Sequence, residues 1–470
     1  MTRYGTPKIV AKARAVIEIF ETKAMGVPVK AEVRTMGRHP AEGTEPLAPT
    51  YEVSTLSHGT RVVTTPIPTT QAVSVSLFVG VGSRSEPPEL NGITHFLEHM
   101  VFKGTKRRPD ANMIAEAIEG AGGSLNAYTN KEFTCYYNLV PYDRYETAID
   151  VTLDMLLNSL LEPAEIDRER TVVQQELKRT HDNPSSWAAR LIGQAVYGDQ
   201  PCGRDVGGTV ELVDSWRRPD FVSHIDEWYR GPNIVLSVSG NVTHDQVMAL
   251  AEPMLAPMPN GREQSVEPYD PGISGQRVSS DSRDIDQCSL HLGLQSFGRG
   301  DPDRFALRIM NDVLGSGMSS RLFREVRERR GLAYGVGSGF GYLADAGSFT
   351  VSAGVDRGKI AETIEVCIEE AMNLRDGTVP EDELRKAKDH TIGRFRLSLE
   401  TAFSLGQRHG EQLVTQGHIE DVDDYVAQLE AVTSKDVKRV ARRIIVPEKL
   451  HVAAVGPDID DDELAKAIGG

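Results

Sequence analysis

Ile234-Val235-Leu236-Ser237-Val238-Ser239-Gly240 and Leu450-His451-Val452-Ala453-Ala454-Val455-Gly456 are two short apolar runs, each ending in glycine. Seven residues suit a buried strand and are too few for a buried helix. The glycines stand 216 residues apart. A second pair of strand-like runs, 73–81 and 288–294, repeats at almost the same offset, with Val75 and Leu290 215 residues apart. Between these anchors the order of patterns also repeats. The first half reads as helices at 92–103 and 110–120, a strand pair at 124–129 and 133–140, and helices at 142–160 and 164–181. The second half reads as a helix at 303–314, a strand pair at 331–340 and 347–355, and helices at 358–374, 380–398 and 402–416. Residues 51–63 read as a hairpin turning at His58-Gly59. Matching strands at both ends of each half, at one offset, predict a duplicated α+β unit of about 200 residues.

The units fall at 51–255 and 281–460. Residues 256–280, rich in Pro, Gly and Ser, read as the linker between them. Residues 1–50 differ in character. Met1 to Arg38 carries eight Lys/Arg and three Glu on a chain whose net charge is −16, and 8–24 has partial helical periodicity. This stretch lacks the apolar core of a secretory signal and reads as a basic extension and linker. Residues 461–470 read as a tail.

The bulk composition narrows the class further. With 39% hydrophobic and 26% charged residues in 470, the chain has an ordinary globular balance and length for several cores. No run reaches the roughly 18 apolar residues needed to cross a bilayer, so no membrane span is expected. The acidic balance argues against nucleic acid as a partner. Cys135, Cys202, Cys288 and Cys367 form no C-x-x-C pair, which excludes a disulfide scaffold and a cysteine zinc ribbon. With no secretory signal read and the cysteines scattered, the expected location is the cytoplasm.

The chemistry lies in Asn91-Gly92-Ile93-Thr94-His95-Phe96-Leu97-Glu98-His99-Met100. On a helix, positions i, i+3 and i+4 share a face, so His95, Glu98 and His99 project together. Two imidazoles one turn apart can grip one zinc ion, and the carboxylate between them can serve as base to a metal-activated water. Phe96, Leu97 and Met100 can pack behind. A third ligand is available in the polar helix at 165–179, where Glu169 and Glu176 lie seven apart on nearly one face. One can ligate and the other can hold a ligand histidine's second nitrogen. Spacing does not choose between them.

His95-Phe96-Leu97-Glu98-His99-Met100-Val101-Phe102-Lys103-Gly104-Thr105 resembles the inverted zinc motif of the pitrilysin/insulysin metallopeptidases, the inverzincins. It looks most like their short branch, which includes the mitochondrial processing peptidase β-subunit and bacterial processing-peptidase-like proteins. The resemblance covers roughly 51–460. It implies two homologous α/β-sandwich halves forming half of a clamshell chamber, with one Zn2+ per chain. Glu176, 77 residues beyond His99, stands where the family has its third ligand, which leaves Glu169 as the outer carboxylate.

The resemblance also assigns substrate contacts. Gly122-Gly123-Ser124-Leu125-Asn126-Ala127-Tyr128-Thr129 looks like the family's edge strand. A peptide can be held there by strand addition, with Asn126 and Ala127 on its backbone. Arg327-Glu328-Arg329-Arg330-Gly331-Leu332-Ala333-Tyr334 looks like the family's Arg/Tyr element. There Arg327 can hold a carbonyl or carboxylate and Tyr334 can donate to an oxyanion. By analogy with long members, this pair completes the site of a partner subunit, in a homodimer or a heterodimer with a related chain. The expected activity is zinc-dependent endopeptidase hydrolysis, with Glu98 as general base. The competing readings are the catalytic half of a heterodimer with an inactive partner, and a non-catalytic scaffold subunit of the same fold.

Overall fold

The computed structural model describes residues 33–36, 50–261 and 266–469. The helix expected at 8–24 lies outside the described residues. The strands are β1 (Val33–Met36), β2 (Glu52–Thr55), β3 (Arg61–Pro66), β4 (Ala72–Val79), β5 (Ser124–Thr129), β6 (Thr134–Pro141), β7 (Ile234–Gly240), β8 (Val278–Ser282), β9 (Gln287–Ser296), β10 (Ala333–Tyr342), β11 (Gly347–Asp356) and β12 (His451–Gly456). The helices of the first half are α1 (Ile93–Val101), α2 (Ala111–Glu119), α3 (Tyr145–Asn158), α4 (Pro163–Asp182), α5 (Pro184–Tyr197), α6 (Val210–Ser215), α7 (Arg218–Trp228) and α8 (His244–Leu255). Those of the second are α9 (Arg304–Gly315), a π-helical segment (Phe323–Arg329), α10 (Ile360–Asp376), α11 (Glu381–Leu397), α12 (Ala402–Gln416), α13 (Val422–Ala431), α14 (Ser434–Ile444) and α15 (Asp461–Ala467).

The strand order is β1-β2-β3-β7-β4-β6-β5 in the first sheet and β8-β12-β9-β11-β10 in the second. Strands β3 to β7 therefore map one for one, in chain order, onto β8 to β12. The sense of pairing matches as well. β3 with β7 and β8 with β12 are parallel, and all other pairs are antiparallel. Register agrees residue by residue, since Val75 faces Val238 and Leu290 faces Ala454. The duplication expected from the two glycine-ended strands is the architecture of the molecule, and the fold is α+β.

Each half has its own core. In the first, Val73, Val75, Leu77 and Val79 turn one face of β4 toward α1, α3 and α8, and all four are fully buried. Burying a side chain of this size contributes roughly 1.5–3 kcal/mol. The other face of the sheet carries Ser74, Ser76, Ser237 and Ser239, and it is covered by α12, a helix of the second half. Small residues on both sides let the two approach closely. Ser237 Oγ donates to Gly406 O at 2.8 Å, and Gln407 Nε2 donates to Ser76 Oγ at 2.9 Å. The counterpart of α12 in the repeat is α5, and it crosses the other way. Ile192 and Val196 of α5 sit over Gly293 of β9 so closely that a Cβ there would lie 2.6 Å from Ile192. The halves thus exchange equivalent helices, and neither sheet is complete without the other half.

Three segments read as extension, linker or tail carry regular structure instead. Strand β1 lies within the stretch read as an extension and pairs with β2. The stretch read as a linker, 256–280, ends inside β8. This half-exposed edge strand of Ser and Asp has no apolar alternation to reveal it. The stretch read as a tail, 461–470, holds α15, capped by the Asp460 carboxylate on Asp462 N (2.9 Å) and anchored by buried Leu464 and Ile468. Its counterpart in the first half is α8, so α15 closes the second repeat. Among the described residues no helix is long and apolar enough to cross a membrane.

Candidate metal centre

The helix α1 is started by an unusual cap. Gly92 takes φ +104°, and a Cβ on it would lie 2.5 Å from Gly207 O, so only glycine fits this entry. The buried Glu86 carboxylate accepts from Gly92 N at 2.7 Å, Thr94 N at 2.8 Å and Asn91 Nδ2 at 3.0 Å. An acidic group there complements the helix dipole and satisfies otherwise orphaned amides. Behind the helix, Ile93, Phe96, Leu97 and Met100 are fully buried. These contacts leave His95, Glu98 and His99 on the remaining face.

That face meets α4. His99 Nε2 lies 3.4 Å from Glu176 Oε2, and His95 Nε2 lies 3.8 Å from Glu176 Oε1. One donor atom from each of His95, His99 and Glu176 falls within 4.8 Å of the others. Among the described residues no other group of three such side chains meets this closely. Glu169, one heptad earlier on α4, takes His99 Nδ1 at 2.9 Å and Lys103 Nζ at 2.6 Å. Two nitrogens and one carboxylate oxygen form a zinc-type donor set with room for a fourth ligand. A carboxylate behind the histidine fixes its tautomer and leaves Nε2 as the donor. The residues therefore fit a zinc ion.

The electrostatics follow from the same contacts. Burial opposes charge on His99, but hydrogen bonds to Glu169 and Glu176 outweigh it and raise the imidazole to about 9. Burial, then the neighbouring His99, lowers His95. The hydrogen bond to His99 lowers Glu176. Burial raises Glu98, against a hydrogen bond from Thr129. A carboxyl with raised proton affinity beside a metal is suited to accept a proton and return it.

Asn126 and Ala127 lie on β5, the edge strand beside α1, and Asn126 Oδ1 accepts from Ala127 N at 2.8 Å. Arg327 and Tyr334 form a separate group. The Arg327 guanidinium stands 4.8 Å from the Tyr334 ring centroid, and Tyr334 is 81% exposed. Among the described residues, neither shares a hydrogen bond or ion pair with the histidine cluster. Two residues near the cluster escaped the sequence reading. Lys103 stands at i+4 from His99, a spacing that could have flagged it. Thr129 stands at i+2 from Ala127 on the same strand face.

The sequence profile described as Insulinase (Peptidase family M16) matches residues 61–210, and that described as Peptidase M16 inactive domain matches 215–390. An uncharacterized zinc protease of Streptomyces coelicolor is 35% identical over 420 residues, covering 87% of this chain and 90% of that protein. The chain belongs to peptidase family M16. Solved structures agree on the fold. A protease from Helicobacter pylori superposes with a TM-score of 0.80 at 24% identity, covering 87% of this chain and all of that one. A chain of complex III2 from Candida albicans superposes at 0.76 with 18% identity, covering 88% and 99%. The fold is thus shared with a chain of complex III2, and chemistry has to be argued from the site. In the second half, the counterparts of α1 and α4 are α9 and α11. There Asp312 holds His390 at 2.7 Å, and among the described residues no three-ligand set forms.

Proposed function

We propose that this M16 chain is a zinc-dependent endopeptidase that hydrolyses extended or unfolded polypeptide segments, with one zinc ion per chain. The observation that carries the reading is the convergence of His95, His99 and Glu176 within 4.8 Å, with Glu98 on the same helical face. His95, His99 and Glu176 would hold the ion. Zinc bound there supplies Lewis acidity, which lowers the pKa of water and polarises a carbonyl. Glu98 takes the proton of the attacking water and returns it to the leaving amine nitrogen. Asn126 and Ala127 hold the peptide backbone along β5 by strand addition.

Tyr334 donates to the developing oxyanion and Arg327 holds the peptide, both reaching the site of a partner subunit. The exposure of Tyr334, and the lack of a hydrogen bond or ion pair between this pair and the histidine cluster among the described residues, support an assignment in trans. Two such subunits would enclose a chamber that admits extended segments and excludes folded proteins. A heterodimer with an inactive related chain would use the same geometry. The likeness to the complex III2 chain favours a scaffold on fold alone, but the complete donor set, with Glu98 and Glu169, weighs against it. The test is zinc content and hydrolysis of a peptide library by the wild type and Glu98→Gln. About one zinc per chain in both, with hydrolysis lost in Glu98→Gln by roughly 10²-fold or more, supports the peptidase. A chain that binds no zinc supports the scaffold.

A further inference from the structure

Thr129 is the last residue of β5, and its hydroxyl donates to Glu98 Oε2 at 2.6 Å. We propose that Thr129 is a positioning residue that divides the work of the Glu98 carboxylate. It ties Oε2 to the substrate strand and leaves Oε1 to face the water and the peptide. The inference rests on the peptidase reading and deepens it.

The direction of the hydrogen bond can be argued from its neighbours. Thr134 Oγ1 donates to the buried Val81 carbonyl at 3.0 Å, so its single proton is engaged there. Thr134 can then offer Thr129 only an acceptor, at 3.4 Å. A carboxylate oxygen at 2.6 Å is the stronger acceptor, and bonds to it are short and charge-assisted. The Thr129 hydroxyl proton therefore points to Glu98 Oε2.

The hydroxyl is also held in place. Threonine is β-branched and its χ1 is restricted. The turn that follows is tied on every side. Asn130 Oδ1 accepts from Glu132 N and Phe133 N, both at 2.8 Å, and Asn130 O accepts from Ser83 N at 3.1 Å. Glu132 Oε1 accepts from Ala344 N at 2.7 Å, which fastens the β5–β6 turn to the β10–β11 turn of the second half. Position at Thr129 is thus set by both halves of the chain.

The consequence concerns how substrate meets base. Asn126 and Ala127, the proposed backbone contacts, lie on the same strand as Thr129. A peptide that adds to β5 is therefore placed against a carboxylate keyed to that strand, with little left to reorganise. Such placement has to hold within about 0.5 Å to be productive, and small errors cost large factors in rate.

The experiment uses the full zinc-loaded chain and an internally quenched extended peptide that the wild type cleaves. Thr129→Val removes the hydroxyl and keeps the shape, and Thr129→Ser restores the hydroxyl. Thr129→Val is expected to lower kcat about tenfold or more with KM within about threefold and zinc content unchanged, and Thr129→Ser to return kcat to within about threefold of wild type. A crystal structure of Thr129→Val is expected to show the Glu98 carboxylate turned, with His95, His99 and Glu176 in place. Wild-type kcat in Thr129→Val, or a Ser variant no better than Val, overturns the proposal. If the wild type cleaves nothing, the peptidase reading fails. The Glu98 rotamer in the Val variant then still decides the positioning, and an unturned carboxylate overturns it.

Discussion

Lys103 Nζ lies 2.6 Å from Glu169 Oε2, on the carboxylate whose other oxygen holds His99 Nδ1 at 2.9 Å. Burial would raise Glu169, but the bonds from His99 and Lys103 more than offset it and keep the group ionised. An ionised acceptor on Nδ1 makes Nε2 a better donor to a metal. Glu169→Gln keeps an acceptor and loses the charge, so zinc affinity should fall about 10- to 100-fold. Lys103→Met should shift it the same way by less. Competition with a chelator measures both, and unchanged affinity in Glu169→Gln would make this carboxylate a bystander.

The exchanged helix α12 depends on one missing methyl group. A Cβ at Gly410 would lie 2.1 Å from Phe78 Cε2. Phe78 is fully buried and packs against Phe133, ring centroids 5.6 Å apart, so it has no room to swing aside. Gly410→Ala should destabilise the chain by about 1–3 kcal/mol through overpacking. Gly193→Ala is the control. It lies within α5 with nothing within 4 Å of the added Cβ, and should be stabilising by about 0.5–1 kcal/mol. Denaturant unfolding of the two variants separates packing from helix propensity.

This exchange marks where sequence reasoning reaches its limit. The period-2 alternation of β4 and the apolar runs at β7 and β12 gave the sheets, because strand faces are written into the order of residues. The helical spacing of His95, Glu98 and His99 gave their common face for the same reason. Which sheet a helix covers is a tertiary matter. The glycines at 406 and 410 and the serines of β4 and β7 make sense only once opposed. Strand β8 pairs through its backbone, and α15 is short and acidic, so neither stood out from loop. The contact of Thr129 with Glu98 joins residues 31 apart in sequence, through the path of the β5–β6 hairpin.

An ion cluster around the buried Arg84 joins the two equivalent hairpin turns. The Arg84 side chain, 1% exposed, reaches Asp345 at 2.6 Å and Glu132 at 3.5 Å, and donates to Glu267 O at 3.1 Å. Removing one partner of a buried pair costs about 3–5 kcal/mol because the other charge is stranded. Here Asp345 is 41% exposed and Glu132 keeps Arg299, so Arg84→Met should cost nearer 2–3 kcal/mol. Because Glu132 fixes the turn after β5, kcat should fall with it. Stability lost with kcat intact would uncouple the cluster from the site.

Acid should act at the junction of the halves. His409 of α12 is buried, with Nδ1 2.7 Å from Thr65 Oγ1. Burial, then the charge of Arg408, pushes it down to about 3. The unfolded chain binds a proton there below about pH 6.5, while the folded chain stays neutral until about pH 3. Between those values the unfolded state holds more protons. Stability should therefore fall as pH drops through this window, by up to about 1.4 kcal/mol per pH unit from this group. His224, pushed by burial to about 4, adds in the same direction. Unfolding free energies from pH 7 to 4 should show a shallower slope in His409→Gln, and an unchanged slope would assign the acid response elsewhere.

Shared sites make a prediction that a self-sufficient subunit cannot meet. Suppose Tyr334 of one subunit serves the zinc cluster of the other. Glu98→Gln inactivates the site of its own chain but still lends its Tyr334, and Tyr334→Phe does the reverse. In a mixed dimer one of the two sites then carries both an intact Glu98 and an intact Tyr334. Random mixing makes half the dimers mixed, so activity should recover to about a quarter of wild type from two nearly inert proteins. If Tyr334 serves its own chain, every site in every mixture lacks one group, and mixing adds nothing. Refolding the two variants together and separately, then measuring hydrolysis at equal total chain, distinguishes these cases. The exposed stack of Arg327 on Tyr334 is the surface expected to become protected when the dimer forms.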